Sequence, residues 1–259
     1  MSTNNYIDGV LTLYASLKYS KCQYPFGVFV SKNITEDKIK ILEQKGIIVI
    51  KDSSENQISI NEILIKNNKN QNLSYWSNTL DKLKIFDLME FEKIVYLDSD
   101  MLVLKNIDEL FEKPHLSAVV AGKSYPRNEG WRKLNSGLMV ITPQKGVYQK
   151  LLSLIPVILK DKEAVGDQDI IQEFYKSWEK EKNLILSEKY NIFINYIDYY
   201  VKKLNYEEIK VVHYIGAKKP WMLTKIQKIK EVFRLLKKGK TIELKYIMLY
   251  FKFLKEIKK

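Results

Sequence analysis

The sequence predicts an α/β fold, and three observations carry that prediction. Phe26–Val30 and Ile47–Ile50 are short apolar runs flanking a stretch of helical periodicity, the strand–helix–strand order of an α/β sheet. Lys93–Leu97 is another such run, and it ends directly in Asp98-Ser-Asp100, where open α/β sheets bind ligands beyond the carboxyl ends of their strands. Finally, 46% hydrophobic and 29% charged residues in 259 describe one globular body.

Taken in order, the elements have local reasons. Thr3 to Lys18 reads as a polar turn and then a helix, with Val10, Leu13, Tyr14 and Leu17 at helical spacing. Phe26–Val30 is a buried strand. Thr35 to Lys45 is a helix with Thr35 as N-cap and Gly46 as its C-terminal stop, and Ile47–Ile50 is the next strand. Residues 51–72, rich in Asn and Lys, form a loop broken by a short apolar segment at Ile58–Ile65. A helix follows over Asn78–Phe91, then the Lys93–Leu97 strand, strands at Leu116–Ala121 and Leu138–Ile141, a helix over Asp167–Trp178 and a last strand at Lys210–His213. Residues 222–259 read as two amphipathic helices split near Gly239.

Composition excludes several classes. One cysteine, Cys22, rules out an internal disulfide framework and a cysteine-based zinc site, and two histidines, His115 and His213, rule out a multi-histidine site. The longest apolar runs are far short of the roughly 18–20 residues of a membrane span. Met1–Tyr6 lacks a basic stretch followed by an apolar one, so the expected compartment is the cytoplasm. The net charge of +12 is unevenly placed: residues 222–259 hold eleven Lys and Arg234 against Glu231, Glu243 and Glu256, a net +9, which leaves +3 for the rest. A nearly balanced body argues against nucleic acid as a partner.

Four groups of residues carry chemistry. Asp98 and Asp100 at the end of an apolar strand are paired hard oxygen ligands that suit Mn²⁺ or Mg²⁺, and on an extended chain alternate positions share a side. Val211–Trp221 ends a strand in His213, whose neutral imidazole is a third ligand for Mn²⁺. Gly216 in the same stretch permits close backbone approach, and Lys218 or Lys219 can meet a diphosphate as a point charge. Asn135 and Ser136, in a polar turn feeding a strand, are hydrogen-bonding groups for sugar hydroxyls. Asp167, Gln168 and Asp169 open a helix, where acidic groups are also favoured by the helix dipole alone.

In this order, the set resembles glycosyltransferase family 8, in its glycogenin-like and bacterial lipooligosaccharide galactosyltransferase-like branches. Asp98-Ser99-Asp100 looks like the family's Asp-x-Asp metal motif, Asn135-Ser136-Gly137 its Asn-Ser-Gly turn, and Gly166–Asp169 its Asp-Gln block; His213–Trp221 looks like its His-x-x-Gly-x-x-Lys-Pro-Trp signature. The resemblance spans Thr3 to Trp221 and implies a GT-A fold, a single-domain, mostly parallel α/β/α sandwich over residues 1–221, followed by the basic helical tail 222–259. It implies a retaining, metal-dependent enzyme that moves a hexose from a UDP-sugar, glucose first and galactose next, to an acceptor hydroxyl in α-linkage. Carried over residue by residue, Asp98, Asp100 and His213 hold Mn²⁺ or Mg²⁺, and Gly216 and Lys219 contact the diphosphate. Lys82 contacts donor groups, Thr3 and Tyr6 fall at the uridine, and Asn135, Asp167 and Gln168 line the sugar and acceptor side. Asp167 or Gln168 is the group for retention.

The family has a complete strand before its Thr-Asn turn. Met1 stands almost at that turn, so most of that strand is expected to be missing and the uridine subsite altered. The alternative to catalysis is a nucleotide-sugar or membrane-surface binding protein on the same fold. Expected partners are the UDP-hexose, a sugar, glycolipid or protein acceptor, and a second copy in a homodimer. Tyr190, Tyr196, Tyr199 and Tyr200 are candidate self-acceptors. The tail has two readings: basic helices on the inner face of an anionic membrane, or ordinary helices packed on the domain with lysines outward.

Overall fold

The computed structural model describes residues 4–31, 34–51, 74–162 and 165–258. Thr3 and the stretch the sequence reads as a loop, from 52 onward, lie outside the described residues. After a 3₁₀ turn at Asn4–Tyr6 come α1 (Ile7–Tyr19), β1 (Gly27–Val30), α2 (Glu36–Gln44) and β2 (Ile48–Lys51). A 3₁₀ run covers Ser74–Asp87, followed by β3 (Ile94–Leu97), β4 (Met101–Val103), β5 (Ser117–Val119) and β6 (Asn135–Ile141). Then come α3 (Val147–Ser153), α4 (Ile155–Ile158), α5 (Asp167–Phe174), β7 (Ile185–Leu186), β8 (Ile192–Phe193), α6 (Ile197–Lys203) and β9 (Val211–His213). The chain ends in α7 (Lys225–Lys237) and α8 (Thr241–Ile257).

The α/β class holds, with strand directions more mixed than the expected mostly parallel sheet. Among the described residues β1–β2, β5–β7 and β8–β9 pair parallel, while β3–β6, β5–β6 and β4–β9 pair antiparallel. Apolar runs reveal that a segment is buried, not which way it runs. The antiparallel pairs build the site. The register Leu97↔Leu138 brings the start of β6 beside the end of β3, and Met101↔His213 sets the end of β9 beside the start of β4.

The segment expected as a helix over Asn78–Phe91 is instead the 3₁₀ run Ser74–Asp87. Its buried apolar residues Leu80, Leu83 and Phe86 recur every three residues, the period at which 3₁₀ side chains eclipse. Asn135 and Ser136 belong to strand β6 rather than to a turn ahead of it.

An apolar cavity of about 230 Å³ is lined by Leu13, Val28, Phe29 and Ile50 on one side and Ile94 and Leu97 on the other. It reaches the acidic motif only at Ser99, so the space and the chemistry lie apart.

The tail is helical, as the sequence predicts, and Gly239 between its helices has a left-handed φ of 64°. Its two helices differ in packing. Helix α8 buries Ile247, Tyr250, Phe253 and Leu254 in one core with Leu102, Ile192, Val212 and Tyr214; each such side chain contributes roughly 1.5–3 kcal/mol. It therefore shares a core with the body.

The start of α8 is capped from a distance. Asp198 on α6 accepts hydrogen bonds from the Ile242 and Glu243 amides at 3.3 and 2.9 Å and pairs with Lys202 at 2.7 Å. Partial burial opposes its ionisation, but Lys202 and the two amides outweigh that and lower its pKa. Asp198→Ala is expected to cost about 0.5–2 kcal/mol, the worth of a helix cap. Because the folded pKa is lowered, this stabilisation is present above the ordinary Asp pKa and lost as pH falls through the folded value. Paired melts at neutral pH and near pH 3 check both points: the gap between wild type and variant narrows in acid.

Candidate functional site

Two strands and the turn between β3 and β4 converge on one cluster. Strand β3 ends at Leu97, Asp98–Met101 forms a tight turn closed by Met101 N donating to Asp98 O at 3.1 Å, and β9 delivers His213 alongside. The acidic motif is thus a turn, not an extended segment, yet both carboxylates still face the imidazole. His213 Nε2 lies 3.2 Å from Asp100 Oδ1 and 3.9 Å from Asp98 Oδ2. One ligand atom from each of the three residues falls within 4.8 Å of the others.

The ring is held from behind. His213 Nδ1 is 3.0 Å from Asn191 Oδ1, and Asn191 Nδ2 donates to Asn135 Oδ1 at 2.8 Å. A proton on Nδ1, donated to Asn191, would leave the Nε2 lone pair to a cation held against the carboxylates, the tautomer a metal-binding imidazole needs. Two carboxylates and one oriented imidazole form a donor set that fits a hard-to-borderline divalent cation such as Mn²⁺. Asn191 is fully buried, and nothing in the sequence marks it except one polar residue inside Tyr190-Asn191-Ile192. Asn191→Ala is expected to weaken Mn²⁺ binding about 10–100-fold, measurable by titration against the free ion.

Two lysines balance the carboxylates. Lys219 Nζ donates to Asp100 Oδ2 at 2.5 Å and to Tyr214 O at 3.2 Å. Burial opposes ionisation of Asp100, but His213 and Lys219 outweigh it and hold its carboxyl well below the usual range. Lys82, on the 3₁₀ run and buried, sits 3.1 Å from Asp98 Oδ1, 2.9 Å from Asp167 Oδ2 and 3.2 Å from Ser136 Oγ. Its burial lowers its pKa, and the attraction of Asp167 and Asp98 reverses this to a net rise, so it stays charged. Tyr96, inside the apolar run of β3 where a strand residue reads as core, donates to Asp98 Oδ1 at 2.7 Å.

The opening of α5 joins the same network. Ser136 Oγ donates to Asp167 Oδ2 at 2.7 Å, while Gln168 Oε1 accepts from Asn135 Nδ2 at 3.0 Å and Ser136 N at 3.1 Å. Asp169 turns away: it accepts from Gly166 N at 3.0 Å and pairs with Lys162. This is the capping role for one member of the acidic block, whereas Asp167 and Gln168 face the lysine and β6.

Gly137 makes room for the cluster. A Cβ there would lie 2.6 Å from His213 Cε1 and 2.9 Å from Met101 Cε. Gly216 has a φ of 109° with nothing within 4 Å of its absent side chain, leaving its backbone open to a ligand. Ser99 presents its carbonyl to Gly9, where a Cβ would come within 2.7 Å. The Tyr6 ring meets Trp221 edge-on at 5.5 Å, and Trp221 Nε1 donates to Asn5 O at 2.8 Å, tying the N-terminal turn to the loop that carries Lys219.

Other candidates separate from the cluster. His115 is half-buried between Tyr175 and the Thr142 amide, at 2.9 and 3.1 Å. Tyr190 and Tyr200 are buried, their hydroxyls donating to Glu109 and Glu188, which leaves Tyr196 and Tyr199, ringed by Tyr125, as the more open tyrosines of that group.

Comparison with known proteins points the same way. Residues 1–225 match the model of the family described as Glycosyl transferase family 8. Galactinol synthase 1 of Solanum lycopersicum is 29% identical over 238 residues, covering 85% of this chain and 71% of that protein. Glycogenin-1 of Homo sapiens is 31% identical over 240 residues, 90% of this chain and 64% of that protein. Among solved structures, the glycosyltransferase GlyE of Streptococcus pneumoniae TIGR4 superposes with a TM-score of 0.60 at 21% identity, over 98% of this chain and 61% of that one. The galactosyltransferase LgtC, solved with donor and acceptor sugar analogues, gives 0.60 at 17% identity, over 87% and 89%. The chain thus spans about three-fifths of GlyE and somewhat under two-thirds of glycogenin-1. The structural likenesses show the α/β fold of GT-A type.

Proposed function

The chain belongs to glycosyltransferase family 8, and from that premise we propose that it moves a hexose from a UDP-sugar to an acceptor hydroxyl with retention of configuration. The single observation that carries this reading is the Asp98–Asp100–His213 cluster with Lys219 buried against it. Asp98, Asp100, Asp167, Lys82 and Lys219 together bear a net charge of −1. With a divalent cation held by Asp98, Asp100 and His213 the sum would be +1, the sign that favours a diphosphate. Asp98, Asp100 and His213 would hold Mn²⁺ or Mg²⁺, which supplies Lewis-acid neutralisation of the departing diphosphate.

The chain's own residues do the rest. Lys219 adds fixed positive charge where negative charge builds on the leaving group, inside a buried site that needs little reorganisation. Gly216 lets the backbone come close to the phosphates, and Tyr6 stands on the uridine side. Lys82, Asn135 and Ser136 hold Asp167 and Gln168 in place beside the sugar. Retention takes either a front-face attack or a covalent intermediate. Asp167 is our candidate carboxylate for the second, and Gln168, whose Oε1 accepts from Asn135 and Ser136, is the neutral alternative beside it. We favour UDP-glucose over UDP-galactose, with a sugar, glycolipid or protein as acceptor.

The experiment is UDP release from a panel of UDP-sugars with Mn²⁺, with and without simple sugar acceptors. Release from one hexose donor and an α-linked product by NMR are expected. Tight UDP-sugar binding with no release under any condition favours a nucleotide-sugar binding protein instead.

A further inference from the structure

The two helices of the tail use their apolar faces in opposite ways. Helix α8 buries its face in the core, whereas α7 buries only Leu235. Ile226, Ile229, Phe233 and Leu236 of α7 are 67, 57, 68 and 52% exposed. At 3.6 residues per turn these four share one face. Lys225 borders that face on one side, and Lys230 and Lys237 border it on the other. None of these three lysines forms an ion pair among the described residues, while the helix's acidic residue Glu231 is paired with Arg234 at 2.5 Å. We propose that α7 is an interfacial helix that seats its Ile226–Ile229–Phe233–Leu236 stripe in an anionic membrane surface.

Charge decides the occupant. A stripe meant for a second copy of this chain would bring two sets of bordering lysines together, in a tail that carries a net +9. An anionic bilayer offers the opposite sign at the rim and hydrocarbon beneath it, the environment of a basic amphipathic helix with aromatic and aliphatic residues on its apolar face. The helix is also preformed. Thr224 Oγ1 accepts from Gln227 N and Gln227 Oε1 accepts from Thr224 N, a capping box that starts α7. Lys228 packs over Phe251 at 4.5 Å, fixing the helix on α8 with its stripe outward. Binding therefore requires little new ordering. The 3₁₀ turn Pro220–Met222 alone separates Lys219 from the approach to this helix, so the membrane face and the candidate site are joined by a short, structured link.

The test is cosedimentation of the full chain with phosphatidylcholine vesicles, with and without phosphatidylglycerol. Two variants are compared with wild type: Ile229→Ser with Phe233→Ser, and Lys225→Gln with Lys230→Gln and Lys237→Gln. Binding to the anionic vesicles is expected, weaker by about tenfold or more in the first variant, because the buried apolar area drives insertion. The lysine variant should lose most of the binding and of its salt sensitivity, since screening acts over roughly 8 Å at physiological salt. All substitutions are at exposed positions, so melting temperatures should match wild type, and UDP release in solution should be unchanged. Vesicle binding is thus read independently of any glycosyltransferase activity. No binding to anionic vesicles overturns the proposal, as does equal binding by the apolar variant. A dimer in light scattering that the apolar variant splits, with no vesicle binding, also overturns it and assigns the stripe to a second copy.

Discussion

Asp100→Asn is expected to lower metal-dependent UDP release by at least about 10²–10³-fold, the scale on which one buried electrostatic contact acts in a transition state. Asp100 is 7% exposed and lies between His213 Nε2 at 3.2 Å and Lys219 Nζ at 2.5 Å. Asn keeps the shape but removes the charge, so two effects follow together. The metal loses an anionic ligand, and Lys219 is left as a buried cation without its carboxylate. Breaking a buried pair from one side costs about 3–5 kcal/mol, so a lowered melting temperature should accompany the lost activity. Asp100→Asn with Lys219→Met removes both charges and should recover part of the stability with none of the activity. Recovery of activity in the double variant would contradict the assignment of both residues to the site.

Gly137→Ala is the second large effect. The added methyl has to displace His213 Cε1, 2.6 Å away, Asn135 Oδ1, 2.8 Å away, and Met101 Cε, 2.9 Å away. Over-packing of this kind costs about 1–3 kcal/mol. The functional loss is larger than the stability loss implies, because a ring moved by about 1 Å costs on the order of 10²-fold in a positioned site. Mn²⁺ affinity and melting temperature measured on the same sample separate the two. A variant whose melting temperature falls by only a few degrees while its Mn²⁺ affinity falls by on the order of 10²-fold is the expected result. Unchanged Mn²⁺ affinity would mean that His213 is not a ligand.

Much of this was legible in the chain because buried strands announce themselves as apolar runs. Gly27–Val30, Ile94–Leu97 and Val211–His213 fall within a residue or two of where the sequence puts them. The acidic turn and the histidine strand were legible for the same reason: chemistry-bearing residues stand at the ends of such runs. What escaped has physical causes. A run carries no direction, so the antiparallel pairs of β6 and β9 were invisible, although they bring Ser136 and His213 to the acidic turn. Spacing of three against 3.6 is a small difference over one segment, and Leu80, Leu83 and Phe86 satisfy both until Lys82 must be aimed. Asn191 and Asp198 act on groups 22 to 45 residues away, through contacts no local pattern encodes. For the tail, amphipathicity is common to both helices. Only packing distinguishes α8, whose Tyr250 is fully buried, from α7, whose Phe233 is 68% exposed.

The most direct measurement is the rate of UDP release from UDP-glucose and UDP-galactose by the wild-type chain, with Mn²⁺ and with excess EDTA. Release that requires Mn²⁺, returns when the ion is restored after chelation, and is absent in Asp100→Asn is the predicted result. Release that proceeds unchanged in EDTA, or in the Asp100 variant, would contradict the placement of the reaction at Asp98, Asp100 and His213.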